Sequence, residues 1–334
     1  MSVPMTAGAP AIPKDVEQYL VGVAAFSPAE VGSLEAGKVI AKVVPGGVDT
    51  EVMAVAAVKI RATRKQTVSY YGQMVTYVDG EVTTAFGRFS NPPVINDVTA
   101  MALDAGDVSH LKSCQPRDCD LRLGGAGLTK VRAAVDWKGP DPAGQVNALL
   151  RESAVDYVAA YLKNGDAALI TYDNTERPVS LEEQWLGLLS ASKYFQQASP
   201  ALRDYLAQYP RRPLPGAKDI LYWVNEKYTG LKPVISIVHS VIYDAPGQPD
   251  RTVIVQKQLY ASHYYDGSLA LVVAIEAPDG GVPVTYLIYG NRSRGDMMKG
   301  GFGGLKRKIA ADQVRKAAIQ TLETMRTVLE KPAR

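Results

Sequence analysis

The chain has 334 residues, of which 46% are hydrophobic and 21% are charged, and its formal net charge is +3. This composition is that of a folded globular protein and excludes an intrinsically disordered chain. The small net charge, with lysines and arginines scattered along the sequence, excludes a typical nucleic-acid-binding protein.

The first third of the chain is predicted to combine short helices with strands. Asp15–Leu20 fits a short helix, and Ser27 and Glu30 form a capping box that opens a second helix ending at Gly37. The run Arg64–Val78 fits helical spacing only in part, so its type stays ambiguous. Strands are predicted at Lys38–Val44, Glu51–Thr63 and Val82–Phe89.

Two cysteines, Cys114 and Cys119, lie in an irregular stretch, Ser90–Arg122, and enclose a polar loop of four residues. That spacing does not fit a zinc knuckle, and a metal site that adds His110 is not favoured, so we expect neither a metal nor a cofactor. A local disulfide is the favoured state, with two unpaired thiols as the alternative. A disulfide would favour the periplasm or the exterior over the cytoplasm, although Met1–Pro13 contains no recognisable signal peptide.

The middle of the chain is predicted to be helical. Gln145–Lys163 carries apolar residues on one helical face. Ser180 opens the next helix with a capping box, and a third helix starts at Ser199. Residues 140–228 therefore read as a helical insertion between two portions of sheet.

The last hundred residues predict an antiparallel meander followed by one long helix. Short turns containing glycine separate four strand-like runs. The helix, Leu305–Glu330, follows a glycine-rich hinge, Gly300–Gly304, and places Leu322 and Met325 on one apolar stripe. The four runs are Pro233–Asp244, Thr252–Ser262, Ser268–Ala277 and Val282–Asn291.

The segment Pro233–Glu330, with Lys38–Phe89 as a first part, resembles the START-like, helix-grip superfamily of the SRPBCC type. The strings QKQLYASHYYDGSLALVVAI and TYLIYGNRSRGDMMKGGFGGLKRK also resemble an uncharacterised group of bacterial proteins. The resemblance implies an α+β fold in which a curved antiparallel sheet grips the long C-terminal helix, here with a helical insertion in the middle. It also implies a deep pocket for a lipid, sterol, polyketide or similar apolar molecule, with the C-terminal helix as its wall or lid. No catalytic residue can be transferred, because the superfamily shares a shape more than a motif.

These patterns divide the chain into four segments, which could form one single domain. They are an N-terminal helical leader (1–37), a first sheet portion with the cysteine loop (38–135), the helical insertion (140–228), and the meander with the long helix (229–334).

Polar side chains along the predicted meander are candidates for orienting a ligand in the implied pocket. His239 and Tyr243 share one face of the first strand of the meander, although each histidine could equally be a satisfied structural residue. Arg292 and Arg294 follow the last strand, where they could hold a carboxylate or phosphate head group, or form an internal ion pair with Asp296. The full set of candidate ligand contacts is His239, Tyr243, His263, Tyr265, Tyr289, Arg292, Arg294, Phe302, Leu322 and Met325.

We therefore expect a protein that binds a hydrophobic or amphipathic small molecule between the sheet and the C-terminal helix, as a carrier or sensor and without transforming it. One alternative is an enzyme of hydrolase or cyclase type that uses the same cavity, with His263 and Asp266 as acid or base. Another is a structural or interaction protein of the bacterial envelope, which 18 tyrosines against 5 phenylalanines would suit. No nucleic acid is expected as a partner, transient contact with a membrane surface stays open, and the sequence does not indicate an oligomeric state.

Overall fold

The computed structural model of the protein describes residues 12–75, 82–228, 230–295 and 303–331. Within them the strands are β1 (Ile40–Pro45), β2 (Glu51–Ile60), β3 (Thr83–Arg88), β4 (Thr171–Tyr172), β5 (Val179–Ser180), β6 (Ala217–Glu226), β7 (Val234–Tyr243), β8 (Arg251–Ala261), β9 (Tyr265–Asp279) and β10 (Val282–Gly295). Eight of these strands form one antiparallel sheet in the order β1-β2-β10-β9-β8-β7-β6-β3, and β4 pairs with β5 separately.

The helices surround this sheet on both sides. None of the described helices is both long and apolar enough to cross a membrane. They are α1 (Lys14–Gly22), α2 (Pro28–Glu35), α3 (Arg64–Val75), α4 (Ala105–Leu111), α5 (Gly125–Ala134), α6 (Pro142–Asn164), α7 (Leu181–Ala191), α8 (Lys193–Gln197), α9 (Pro200–Gln208) and α10 (Gly303–Leu329), with two 3-10 turns at Ile95–Val98 and Gly165–Ala168.

The predicted antiparallel meander is confirmed, and it contains one more strand than its sequence pattern indicates. β6 pairs with β7 along its whole length. Its first half is largely exposed and its second half largely buried, so the sequence shows neither clean alternation nor a continuous apolar run. Between β9 and β10, Gly280 and Gly281 both adopt positive φ, which a two-residue hairpin of this kind requires.

Helices are inserted between two strands that pair with each other; they begin earlier than the predicted 140–228, and β6 lies inside that predicted range. β3 ends at Arg88 and β6 begins at Ala217, yet Phe86 of β3 lies opposite Val224 of β6. The helices α4–α9 therefore leave and return at the same edge of the sheet.

Strand alternation gives the sheet two apolar faces, each covered by different helices. On β9, Leu271 and Val273 belong to a large core shared with α1, α2 and α6–α9, and we call this side the insertion face. Val272 and Ala274 of the same strand belong to a second core shared with α3 and α10, and we call this side the α10 face.

The predicted packing of the C-terminal helix on the sheet is confirmed. Leu322 and Met325 are 2% and 0% exposed, and they join Val58 of β2 and Leu287 of β10 in one buried cluster. The helix lies over β1 and β2. The apolar stripe of α10 thus covers one end of the α10 face.

A third, smaller core surrounds the predicted disulfide, which is also confirmed. Cys114 and Cys119 are bonded to each other and almost completely buried. They pack with Leu111 of α4, Leu128 of α5 and Val146 of α6. The stretch predicted as irregular therefore contains a helix and its own apolar centre.

Candidate functional site

Strand alternation divides the predicted site residues between the two faces of the sheet. His239 and Tyr243 share one face of β7, as predicted, and this is the insertion face, where both are buried. Tyr289 packs on the α10 face, beside the core that contains Leu322 and Met325. The predicted set therefore does not converge on one site, and Phe302 lies outside the described residues.

His239 is the centre of a buried hydrogen-bond chain. Its Nε2–H donates to Asp219 Oδ1 at 2.8 Å, and Tyr205 donates to the same carboxylate. Its Nδ1 lies 2.9 Å from Tyr161 Oη. Burial lowers the pKa of His239 despite the opposing carboxylate, so the ring is neutral and its Nδ1 accepts a hydrogen bond from the Tyr161 hydroxyl. Both ring nitrogens are satisfied inside the protein.

A buried lysine, Lys257, lies beside the hydrogen-bond chain of His239 and was not among the predicted site residues. Lys257 is opposite His239 in the β7–β8 register, and its Nζ contacts the carboxylate of Asp166. The same ammonium lies 4.4 Å from the ring centre of Trp185. Burial lowers the pKa of Lys257 to about 8, against the opposing effect of Asp166. Lys257 stands between Gln256 and Gln258 in β8, so the sequence offered no signal that it is buried.

Gly165 places Asp166 against this lysine. It ends α6 with φ +63, a conformation that suits glycine. A Cβ at this position would lie 1.8 Å from the carbonyl oxygen of Tyr209, so only glycine allows the two segments to approach so closely.

His263 belongs to a second buried polar group beneath the insertion. Its Nε2 lies 2.8 Å from Asp107 Oδ2, and its Nδ1 lies 3.1 Å from the carbonyl oxygen of Asp120. Asp266, the suggested acid–base partner of His263, instead forms a buried ion pair with Arg122 at 2.7 Å. His263 thus contacts the insertion through Asp107 and Asp120.

Arg292 and Arg294 both pair with Glu51, a carboxylate at the start of β2. Arg292 contacts Glu51 Oε1, and Arg294 Nε lies 3.0 Å from Glu51 Oε2. The antiparallel register of β2 and β10 places Glu51 directly opposite Arg294. Both arginines therefore share one carboxylate, which offsets one of their two positive charges, while Asp296 lies outside the described residues.

The α10 face changes from apolar to polar along its central strands. On β8 the row that begins with Ile254 continues with Gln256 and Gln258, and on β10 Leu287 is followed by Tyr289. We call this polar surface the tyrosine patch. It comprises Tyr222, Glu226, Tyr228, Ser236, Gln256, Gln258, Tyr265 and Tyr289.

The hydrogen bonds of the tyrosine patch leave one acceptor open. Tyr71 of α3 donates to Gln256 Oε1 at 3.3 Å, and Gln256 Nε2 donates to Tyr222 Oη at 3.0 Å. Gln258 is 8% exposed, and its Nε2 lies 3.5 Å from Ser236 Oγ. Gln258 Oε1 is buried and has no hydrogen-bond partner within the described chain. Such acceptors are rare in folded proteins.

Glu226 supplies the patch with a carboxylate at the end of β6. Tyr228 donates to Glu226 Oε1 at 2.9 Å, and no cation in the described ranges forms an ion pair with Glu226. Burial raises the pKa of Glu226. Burial, with Glu226 nearby, also raises the pKa of Tyr265 and brings that of Tyr289 to about 12. The tyrosine hydroxyls therefore surround one carboxylate in a poorly solvated environment.

Two adjoining clefts open on the opposite side, between α1 and the insertion face. Their volumes are about 250 and 170 Å³, and Tyr19 and Tyr194 line both of them. These two rings meet edge to face, with centroids 6.2 Å apart. Arg251 of the larger cleft pairs with Asp15 at 2.7 Å, and Arg292 of the smaller is paired as described above. The arginine of each cleft thus already has a carboxylate partner, which in the smaller cleft is shared with Arg294.

Within the described ranges, no group of three or more His, Cys, Asp or Glu side chains is arranged as a metal site. No family model and no curated protein matches the chain. Among solved structures the chain is similar to the crystal structure of the di-domain ARO/CYC protein BexL from the BE-7585A biosynthetic pathway, with 11% identity, covering 90% of this chain and 78% of that chain. The TM-score is 0.24, which is too low to show a common fold. The sheet with its packed C-terminal helix is compatible with the helix-grip superfamily.

Proposed function

We propose that the protein binds a small amphipathic molecule on the α10 face, with the polar end of the ligand at the tyrosine patch. The observation that carries the proposal is the buried and unpaired Oε1 of Gln258. Buried acceptors in folded proteins are nearly always paired, so an open one calls for a donor from a ligand or an ordered water. The expected role is that of a carrier or sensor.

The same face continues from the patch into buried apolar residues that α3 and α10 cover, and we place the body of the ligand between these residues and the two helices. On β9 the residues of this face are, in order, Ser268, Ala270, Val272 and Ala274, so the row changes from polar to apolar. Six residues of strand span roughly 20 Å. A molecule with a polar end and an apolar body of that length matches this change in polarity.

The histidines do not favour an enzymatic reading of this surface. His239 is satisfied by Asp219 and Tyr161 on the insertion face. His263 is held by Asp107 and the Asp120 backbone. Neither belongs to the tyrosine patch, so binding is the function that the patch supports best.

The placement of the ligand is tested by introducing a large side chain on one face of the sheet at a time. Ala270 lies on the α10 face between polar and apolar residues, whereas Ala198 lines the larger cleft on the insertion face. Native mass spectrometry of the purified protein would identify a co-purifying ligand. Thermal melts would test added fatty acids, sterols and alkyl amphiphiles, since a ligand at 100 times its Kd stabilises by about 2.7 kcal/mol.

We expect Ala270→Phe to abolish ligand-induced stabilisation and Ala198→Phe to preserve it, with both variants retaining the parent circular dichroism spectrum. Loss of binding in Ala198→Phe alone would place the ligand in the cleft and refute the proposed site. Absence of any bound or stabilising small molecule for the parent would refute the proposed function.

A further inference from the structure

Glu226 is half-buried and, unlike the fully buried acidic residues of the described chain, contacts no cation there. Three acidic residues there are less than 5% exposed, and each contacts a cation. Nearly buried Asp166 is likewise paired, with Lys257. The three pairs are Glu51 with Arg292, Asp107 with Lys232, and Asp266 with Arg122. The protein thus compensates its buried carboxylates with its own cations, as the cost of burying an unpaired charge requires.

For Glu226 the described residues supply only the Tyr228 hydroxyl, at 2.9 Å. We infer that the missing cation comes from the ligand, and that the tyrosine patch recognises a positively charged nitrogen at the polar end of an amphipathic molecule. This inference rests on the function proposed above and specifies its ligand class as alkyl ammonium compounds.

The aromatic rings of the patch suit a cation in the same way. The faces of tyrosine rings attract ammonium groups, and the attraction increases when the cation is desolvated. Four tyrosines, Tyr222, Tyr228, Tyr265 and Tyr289, lie close enough to Glu226 for its charge to raise their pKa values in addition to the effect of burial. Among the described ring contacts, none joins two of these four rings. The rings therefore surround the carboxylate without packing on one another.

The remaining open group of the patch also prefers a donor. Gln258 Oε1 is a buried acceptor, so it can receive an N–H or O–H of the ligand. A carboxylate or phosphate head group would meet the Glu226 carboxylate and the Gln258 carbonyl, both of them acceptors. The patch therefore selects against anions, whereas Arg292 and Arg294, which could have held an anion, are engaged by Glu51.

Three probes with the same alkyl chain test this charge preference. Decylammonium, whose N–H groups can donate to Gln258 Oε1 and Glu226, would be titrated calorimetrically beside decyl glucoside and decanoate, each below its micelle-forming concentration. We expect the ammonium probe to bind about tenfold more tightly than the neutral one, and decanoate to bind weakest. One charge-assisted contact accounts for a factor of this size.

Glu226→Gln should lower the affinity for decylammonium about tenfold, because the charge-assisted contact is lost, and leave that for decyl glucoside unchanged. Glu152→Gln is the matched control, because Glu152 is an exposed carboxylate on α6. Tyr265→Phe should keep the affinity for the ammonium probe, since the ring stays, and Tyr265→Leu should lower it about fivefold. Thermal melts of each variant would check that it is folded.

Equal binding of the ammonium and neutral probes, with Glu226→Gln affecting neither, would overturn the charge preference and leave the proposed function standing. Tighter binding of decanoate would overturn it as well. Failure of all three probes, together with no co-purifying ligand, would remove the proposed function and this inference together.

Discussion

At the scale of single residues, the carboxyl group of Glu226 lowers the stability of the fold at neutral pH relative to acid, although it is the group proposed to bind the ligand. Burial raises the pKa of this carboxyl above its ordinary value of 4.5. A carboxyl group whose pKa is raised by folding stabilises the protein fully only when the pH is below its ordinary, unfolded-state pKa. This stabilisation is lost as the pH rises through the pKa of the folded state. At neutral pH this raised pKa therefore lowers the free energy of unfolding relative to its value in acid.

The first prediction follows from that sign. Glu226→Gln should be at least as stable as the parent at pH 7, because the amide can still accept from Tyr228 and carries no charge. The difference should shrink as the pH falls toward the ordinary pKa of 4.5 and be absent below it. Urea unfolding curves between pH 4 and pH 8 would measure it. A parent that is clearly more stable than the variant at pH 7 would contradict the prediction.

The second prediction concerns the buried pair of Lys257 and Asp166. Lys257→Met should cost about 3–5 kcal/mol, because Asp166 would be left as an uncompensated buried carboxylate. The double variant with Asp166→Leu should recover most of that loss, since neither charge then remains. Guanidinium unfolding of the single and double variants would measure both values. Equal stabilities of the single and double variants would show that the pair is not coupled.

Residue patterns predicted which side chains share a face, but not what covers that face. The spacing of His239 and Tyr243 was sufficient to place them together. Their burial beneath the insertion depends on helices far away in sequence, and the partner of Arg292, Glu51, is 241 residues from it. The tyrosine patch could be sought only by following the α10 face across neighbouring strands, which requires the register of β6–β10.

At the scale of elements, the described side chains of α10 pack on the sheet through Ala318, Leu322 and Met325. Leu322→Asp should cost about 4 kcal/mol or more, because it places an unpaired charge in a core where Leu322 is 2% exposed. Val328→Asp is the matched control on the same helix, since Val328 is 39% exposed. Thermal and urea unfolding would compare the two variants. A Leu322→Asp variant that melts with the parent would show that α10 does not anchor the sheet.

The disulfide loop gives a fourth prediction. Thiol titration of the unfolded, unreduced protein should find no free thiol, because both cysteines are bonded to each other. Replacing both by serine should cost about 2 kcal/mol through the entropy of so short a loop. The loss would be larger if polar serines are poorly tolerated in the small core with Leu111 and Leu128. Two titratable thiols in protein matured in its own compartment would contradict the pairing.

Local signals predicted the elements well wherever a cap or a regular period was present. The capping box of Ser27 and Glu30 is formed as expected, and Ser180 caps α7. β6 had no such signal, because its row of exposed and buried residues changes midway. The ambiguous run that begins at Arg64 forms α3, where Tyr71 packs against the sheet.

At the scale of the whole molecule, the two faces of the sheet differ in how they are covered and in where their polar side chains lie. The insertion face is covered by helices, and several of its buried polar groups are paired with one another, as in the chain of Tyr161, His239 and Asp219. Trp185 Nε1 and Tyr260 Oη on this side have no hydrogen-bond partner in the described chain. The α10 face is packed at one end and polar at the other, where Gln258 Oε1 stays unpaired. This asymmetry could not be read from composition, because both faces draw on the same strands.

The point at which the insertion leaves the sheet also determines when the sheet can be completed. Joining β3 to β6 closes a loop of roughly 130 residues, and its closure costs about 3 kcal/mol more entropy than a four-residue turn. The pairing becomes favourable once the insertion has folded and brought its own two ends together. We therefore expect β9 and β10, joined by a tight hairpin, to acquire amide protection early in refolding, and β3 to acquire it last. Pulsed hydrogen-exchange labelling would follow this order, and simultaneous protection of β3 and β10 would exclude it.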